Sequence, residues 1–186
     1  GHFWLGVNAR QTLWAHPFDV FKASTVGDAM KVMFPGSFDP IHLGHVDIIN
    51  QAANLFGEVI VAVMHNPEKP VGMFSVTARV EMAKAATSHI KGVSVNAASG
   101  LAIDAAKKFG ANFIVKSVRN AADFDVELQM ADTNRAVGGI ETVLLIARPE
   151  LSFISSRYVR DIAQNGGDVS KLVPAVVQDA ITKVKK

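Results

Sequence analysis

The sequence predicts a single doubly wound α/β domain with a five-stranded parallel sheet, a Rossmann-like fold. Short apolar segments rich in β-branched residues recur after residue 30, and segments with the period of a helix separate them. No internal repeat or long linker divides this part of the chain. In such a fold, ligands bind at the carboxyl ends of the strands, near a reversal in strand order.

The middle ones of the five predicted strands are continuously apolar, as is typical of a sheet covered by helices on both faces. The five strands cover residues 31–34, 58–64, 93–97, 112–117 and 142–147.

The predicted helices follow the strands in turn. The first carries apolar residues at a helical period from Val46 to Phe56, and the second begins after Ser75, whose hydroxyl suits an N-cap. Further helices are predicted over 102–109, 123–136, 156–164 and 174–184, the last opening with a proline at a first-turn position.

The first 29 residues differ from the rest in composition. They contain both tryptophans, Trp4 and Trp14, show no clear period and lack the pattern of a secretory signal. Met30 is followed at once by a predicted strand and resembles an initiator. We therefore predict that residues 1–29 are a tag remnant or translated upstream sequence and that 30–186 form the domain. A functional arm or an organelle-targeting peptide is the alternative.

Composition excludes several classes of function. The chain has 19 Lys and Arg against 17 Asp and Glu, without a long basic run, so a broad nucleic-acid-binding surface is not expected. No apolar stretch approaches the roughly 20 residues that a membrane-spanning helix needs. The absence of cysteine excludes disulfides, thiolate metal sites and cysteine nucleophiles. Small anionic ligands remain possible.

The loop after the first strand, residues 35–45, carries the clearest chemical signal. Gly36 permits a tight exit from the strand, and Gly44 lets a ligand approach the start of the helix, whose free N–H groups favour phosphate. His42 and His45 lie three residues apart and can offer two imidazole donors on one face. The loop matches neither a Walker A motif nor a dinucleotide fingerprint. A zinc site is the alternative, but no third ligand lies nearby.

Four segments together resemble a known family. The first is P-G-S-F-D-P at 35–40 with Gly44-His45, and the second is N-P at 66–67 with Lys69 and with M-F at 73–74. The third is A-D-F at 122–124 with E-L-Q-M at 127–130 and Asn134. The fourth is S-F-I-S-S at 152–156 with G-D-V at 167–169. In this order they resemble the nucleotidylyltransferases with an H/T-x-G-H motif and, within them, the bacterial phosphopantetheine adenylyltransferase family. The resemblance extends over residues 30–186.

The resemblance implies an enzyme of coenzyme A biosynthesis. The phosphate of 4′-phosphopantetheine would attack the α-phosphorus of ATP, giving dephospho-coenzyme A and pyrophosphate by direct in-line transfer without a covalent intermediate. It also implies a cytoplasmic homohexamer that uses Mg²⁺ held by ATP phosphates and water, with coenzyme A as a possible feedback ligand. A transfer of this kind needs donors rather than a nucleophile, which is compatible with a chain without cysteine.

The resemblance also implies roles for individual residues. His45 would stabilise the transition state, and His42 and Arg160 are possible further phosphate contacts. The residues expected to bind ATP are Ser37, Phe38, His45, Ser117, Val118, Arg119, Glu127, Leu151, Ser152, Phe153, Ile154, Ser155, Ser156 and Arg157. Those expected to bind 4′-phosphopantetheine are Ser37, Lys69, Ala102 and Lys116.

Two of these positions depart from the family pattern. Ser117 stands where glycine is usual and would be strained if the backbone there required a positive φ. Arg157 stands where Ser or Thr is usual.

Purely structural roles are the alternatives for three of these residues. His45 can simply cap its helix, Ser37 can bond within its own turn, and Glu127 can be a helix-surface acid. The rival functions are another nucleotidylyltransferase, acting for example on nicotinamide or nicotinate mononucleotide or on a phosphorylated alcohol, and a non-catalytic protein that binds ATP or coenzyme A.

Overall fold

A computed structural model describes residues 30–69 and 72–184, so the predicted extension at 1–29 lies outside the described residues. Strands and helices alternate along this part of the chain. The strands are β1 (Met30–Gly36), β2 (Gly57–His65), β3 (Val93–Ser99), β4 (Phe113–Val118) and β5 (Glu141–Ile146). The helices are α1 (Leu43–Phe56), α2 (Val76–Thr87), α3 (Ala102–Phe109), α4 (Ala121–Gly138), α5 (Ser156–Gln164) and α6 (Ala175–Val184).

The five strands form one sheet in the order β3-β2-β1-β4-β5, and every neighbouring pair is parallel. The chain first builds outward from β1 through β2 to β3 and then returns to the other side of β1 with β4. The strand order therefore reverses between β1 and β4, which places the expected ligand crevice at the carboxyl ends of these two strands. The doubly wound parallel fold is confirmed.

The predicted elements are all present, with differences at their ends. The predicted N-cap of α2 is confirmed, because Ser75 Oγ accepts the N–H of Ala78 at 3.2 Å. Helix α4 begins at Ala121, earlier than predicted, because the Asn120 side chain accepts the N–H of Asp123 and caps it there. Propensity alone did not indicate this cap.

Each face of the sheet supplies one hydrophobic cluster. Side chains alternate along β1, so Val32 and Phe34 pack on one side and Met33 on the other. The first cluster includes buried residues of α1, α2, α5 and α6, whereas the second includes Ile103 and Ala106 of α3. Both faces of the sheet are therefore covered, which accounts for the continuous apolar strands.

Helix α4 differs from the other helices because none of its residues is buried. It leaves several large apolar side chains exposed in this chain: Phe124, Val126, Leu128, Met130 and Val137. Within the described segments, no helix combines the length and apolar character needed to cross a bilayer.

Replacing Ile49 with alanine is expected to lower the free energy of unfolding by about 2–5 kcal/mol, because its side chain is fully buried in the core beneath α1. Leu55 on the same helix is 65% exposed, so Leu55→Ala is the matched control and should stay within about 0.5 kcal/mol of the wild type. Urea denaturation of both variants measures the difference. Equal losses in the two variants would contradict this description of the core.

Candidate active site

His42 and His45 cap the N-terminus of α1 reciprocally. Nδ1 of His42 accepts the backbone N–H of His45 at 3.3 Å, and Nδ1 of His45 accepts the N–H of His42 at 3.2 Å. Because each Nδ1 is an acceptor, each neutral ring carries its proton on Nε2. Nε2 of His45 has no hydrogen-bond partner among the residues that the structure describes, and the ring lines an open cleft. His45 thus offers the cleft one N–H donor.

Both imidazoles are held in the neutral form. Burial and, secondarily, the charge of Arg119 lower the pKa of His42 to about 3. Burial lowers the pKa of His45 well below 6.5 as well, and the neighbouring His42, Arg119 and Lys116 act in the same direction. At neutral pH the pair therefore supplies hydrogen-bond donors without positive charge.

Aromatic packing fixes the orientation of the His45 ring. It stacks on the His42 ring with centroids 3.6 Å apart and planes 20° apart. Phe38 meets it edge to face at 4.9 Å, and Phe34 does so at 6.3 Å. Phe38 is buried with φ at 46°, a conformation that is uncommon for a non-glycine residue. The buried ring of Phe38 therefore restricts the movement of the His45 ring.

The cleft includes the expected crevice at the carboxyl ends of β1 and β4 and extends to the end of β5. Its lining comes from four parts of the chain: the start of α1 with its N-cap, the end of β4 with the first half of α4, the end of β5, and the loop that leads into α5. The lining residues are His42, Gly44, His45, Ile48, Ser117, Arg119, Asp123, Glu127, Ala147, Leu151, Ile154, Ser155 and Ser156.

Two helices begin at this cleft. Ser155 caps α5 by accepting the N–H of Tyr158, and the N-terminus of α1 carries the two histidines. Helix N-termini present N–H groups and the positive end of the helix dipole, which favour anions. The convergence of two such ends suits a polyphosphate.

The cleft also contains paired charges. Arg119 binds the Asp123 carboxylate through Nε at 2.8 Å and through NH2 at 3.2 Å, and its NH1 donates to the Ile154 carbonyl at 3.4 Å. These bonds hold the pKa of Asp123 below its usual value. Lys116 pairs with Glu127 at 3.3 Å. Asp123 therefore orients the Arg119 side chain, and Glu127 orients the Lys116 side chain, beside the cleft.

The β1–α1 loop is attached to the segment that leads into α5. Ser156 Oγ donates to the Pro40 carbonyl at 2.9 Å, and Arg160 NH1 donates to the Asp39 carbonyl at 2.7 Å. These bonds keep the N-termini of α1 and α5 on the same cleft.

The Asp39 side chain attaches the same loop to the segment before α2. Its two carboxylate oxygens accept the N–H groups of Met73 and Phe74 at 2.8 and 2.9 Å. Gly72 is required for this approach, because a Cβ there would overlap the Asp39 carboxylate. These bonds attach the β1–α1 loop to the residues directly before α2.

The structure brings together many of the predicted site residues. Those that line the cleft are His42, His45, Ser117, Arg119, Glu127, Leu151, Ile154, Ser155 and Ser156. Ser117 is an ordinary residue of β4 paired with Leu145, and Phe38 is the one non-glycine residue with positive φ in the described ranges. The serine at the position where glycine is usual is therefore not strained.

Other predicted residues lie elsewhere. Phe38 and Val118 are buried behind the cleft, while Ser152 Oγ bonds the Pro149 carbonyl and Phe153 is exposed. Arg157 lies with Arg160 in a separate surface groove on α5. Exposed residues Ser37 and Lys69 follow β1 and β2, and Ala102 begins α3. No ligand contact tests the roles assigned to these residues, which stay predictions.

Three residues that organise the site were not singled out as site residues from the sequence. They are Asp39, Arg79 and Asp123. Asp39 and Asp123 stood inside segments that carried the family resemblance, which was the available signal. Arg79 lies inside α2, and nothing in the helical pattern indicates that it reaches the β1–α1 loop.

Comparison with known proteins agrees with this geometry. The cytidylyltransferase-like family model matches residues 33–162, so fold and cleft define a nucleotidyltransferase. The phosphopantetheine adenylyltransferase of Thermosynechococcus vestitus is 48% identical over 149 residues, which cover 80% of this chain and 88% of that protein. That of Cutibacterium acnes is 49% identical over 152 residues, which cover 82% of this chain and 96% of that protein. That of Corynebacterium diphtheriae is 42% identical over 156 residues, covering 84% of this chain and 98% of its own. The chain belongs to the phosphopantetheine adenylyltransferase family.

The low pKa of His42 predicts a loss of stability in mild acid. Above pH 6.5 the histidine is neutral in both folded and unfolded chains and contributes nothing. Below pH 6.5 the unfolded chain takes up a proton that the folded chain does not accept until about pH 3, so stability falls by up to about 1.4 kcal/mol per pH unit.

His42→Thr removes this titration and keeps an N-cap hydroxyl. We expect the free energy of unfolding of this variant to fall less steeply between pH 6.5 and 5 than that of the wild type, as measured by urea denaturation. Parallel curves would show that His42 is protonated in the folded state.

Proposed function

We propose that this protein transfers the adenylyl group of ATP to 4′-phosphopantetheine, producing dephospho-coenzyme A and pyrophosphate. The observation that carries the proposal is the neutral His45 imidazole, which lines a cleft where two helix N-termini and two cations converge and keeps its Nε2–H without a partner among the described residues. Membership of the phosphopantetheine adenylyltransferase family supports the choice of substrates.

The reaction needs no nucleophile from the protein. An oxygen of the acceptor phosphate forms the new bond to the α-phosphorus of ATP while the bond to the bridging oxygen between the α- and β-phosphorus atoms breaks. Pyrophosphate leaves with that electron pair. Catalysis then consists of aligning the two substrates and stabilising charge on the equatorial oxygens of the α-phosphate.

His45 would stabilise those oxygens through Nε2–H. A neutral donor whose position is fixed before the reaction stabilises developing charge without a reorganisation cost. The ring cannot rotate freely, because its Nδ1 accepts a backbone N–H and Phe38 and His42 pack against it. The departing pyrophosphate would be held by the N–H groups at the start of α5 and by Arg119.

The acceptor would lie across the neighbouring strand ends. Ser37 and Lys69 follow β1 and β2, Ala102 starts the helix after β3, and Lys116 is in β4. The hydrogen bonds of Asp39 to residues 73 and 74 support the proposal, because they attach the β1–α1 loop, which begins after β1 with Ser37, to the segment before α2.

Magnesium is part of the proposal as a companion of ATP. Among the described residues, no group of three or more His, Asp or Glu side chains is arranged to hold a metal ion. The two acids of the cleft are already paired with Arg119 and Lys116. We therefore assign Mg²⁺ to ATP phosphate oxygens and water.

We also propose a cytoplasmic homohexamer in which coenzyme A binds as a feedback ligand. The exposed apolar residues of α4 support self-association, since a helix without buried residues gains stability when a second copy covers it. Coenzyme A shares the pantetheine arm and the adenylyl group with the substrates and would occupy the same cleft. Sedimentation with and without coenzyme A tests the oligomeric state and whether coenzyme A changes it.

Pyrophosphate release from ATP tests the substrate assignment. Release is expected with 4′-phosphopantetheine and not with nicotinamide mononucleotide, which would be the substrate if the protein were the rival nucleotidylyltransferase. Activity with nicotinamide mononucleotide alone would overturn the assignment. Binding of ATP without turnover of either acceptor would instead favour a non-catalytic binding protein.

His45→Ala is expected to lower kcat by about 10²-fold, because one transition-state donor is lost while the cleft remains. The exposed His89 provides the matched control, and His89→Ala should keep wild-type turnover. Steady-state pyrophosphate release measures both, with circular dichroism to establish folding. A folded His45→Ala variant with normal kcat would contradict the role of this histidine.

A further inference from the structure

Arg79 is a buried cation on α2. Its residue is only 8% exposed, although arginine is rarely buried to this degree without a charged partner. It lies in the first part of the helix, four residues after the Ser75 N-cap, with its backbone N–H bonded to the Ser75 carbonyl.

The guanidinium contacts backbone oxygens rather than a carboxylate. NH1 donates to the Ser37 carbonyl at 2.6 Å and to the Met64 carbonyl at 3.4 Å. Within residues 30–69 and 72–184, Arg79 forms no ion pair, and its buried Nε has no hydrogen-bond partner. Burial of a charge with incomplete pairing is unfavourable, so stability alone does not explain this arginine.

The two carbonyls mark the point where β1 and β2 separate. The last pair in the register of these strands is Gly36 with Val63, and Ser37 and Met64 are the next residues on each strand. Beyond this pair the strands no longer bond each other, and Arg79 bonds both chains instead. The arginine therefore sets the path of the backbone as it enters the β1–α1 loop.

This path determines the position of both sides of the site. Five residues after Ser37 the loop reaches His42, the cap of α1, while β2 leads from Met64 to the loop that carries Lys69. A shift of the Ser37 carbonyl would displace the residues expected to align the acceptor with ATP. Displacements of about 1 Å are sufficient to reduce in-line transfer strongly.

We propose that Arg79 is a positioning residue for the adenylyl transfer, acting through the Ser37 and Met64 carbonyls without touching either substrate. This inference rests on the proposed function. A positioning role differs from a purely stabilising role in its effect on kcat. Removing Arg79 should lower kcat more than another substitution in α2 that destabilises the protein.

The test compares three variants in the pyrophosphate-release assay. Arg79→Met keeps much of the side-chain volume and removes the donors, so kcat should fall about 10²-fold with KM for ATP changed less than about threefold. Arg79→Lys keeps the charge on a shorter side chain, whose ammonium does not extend to the NH1 position that bonds both carbonyls, and kcat should fall about tenfold. Met82→Ala is the matched control, since Met82 is buried in α2 and belongs to the core cluster.

Met82→Ala should lower the melting temperature and keep wild-type kcat when assayed well below that temperature. Folded Arg79→Lys with wild-type kcat, or a loss of kcat in Met82→Ala equal to that in the Arg79 variants, would overturn the proposal. Arg79→Lys decides the question if Arg79→Met does not fold. A wild-type protein without adenylyl transfer would overturn the proposed function and this inference with it, whereas full activity in the wild type and the Arg79 variants overturns this inference alone.

Discussion

The hydrogen bonds that hold the β1–α1 loop from outside are the constraint on which the site depends. An irregular loop cannot satisfy its own backbone groups, so other parts of the chain must supply partners. Arg79 binds the Ser37 carbonyl, and Arg160 and Ser156 bind those of Asp39 and Pro40. Helices α2 and α5 thereby fix a loop that lies between them. The conformation of the loop is a property of the whole domain.

The chemistry of the site follows from that fixed loop. The loop delivers the chain to α1 with both histidines at the helix start, where each ring accepts a backbone N–H from the other residue. Burial then keeps the pKa of both rings low, and the neutral His45 retains a donor for the cleft. Positive charge comes instead from Lys116 and Arg119 at β4, each oriented by an acid. The site separates hydrogen-bond donation from charge and needs no nucleophile, which fits a sequence without cysteine.

The topology explains why these groups meet. Strand β4 returns beside β1, so a cation pair from the second half of the chain lies next to a loop from the first half. Helices α1 and α5 begin at the same cleft because Ser156 and Arg160 bond the β1–α1 loop. Reversal of the strand order leaves room at this point, since the helices connected to neighbouring strands lie on different faces.

Local sequence patterns were sufficient to predict the secondary-structure elements and the protein family. Apolar periodicity and end signals predicted the strands and helices of the described residues. The family resemblance implied His45, Arg119 and Glu127 as site residues, and all three line one cleft. The partners that hold the site depended on tertiary structure. Arg79 lies 42 residues from Ser37, and Arg160 lies 121 residues from Asp39. The period of apolar residues indicates which face of a helix is buried. A hydrogen bond to a distant carbonyl depends instead on where folding places that carbonyl. The same reason explains the neutral histidines, because their pKa values are set by burial that arises only when the domain is assembled.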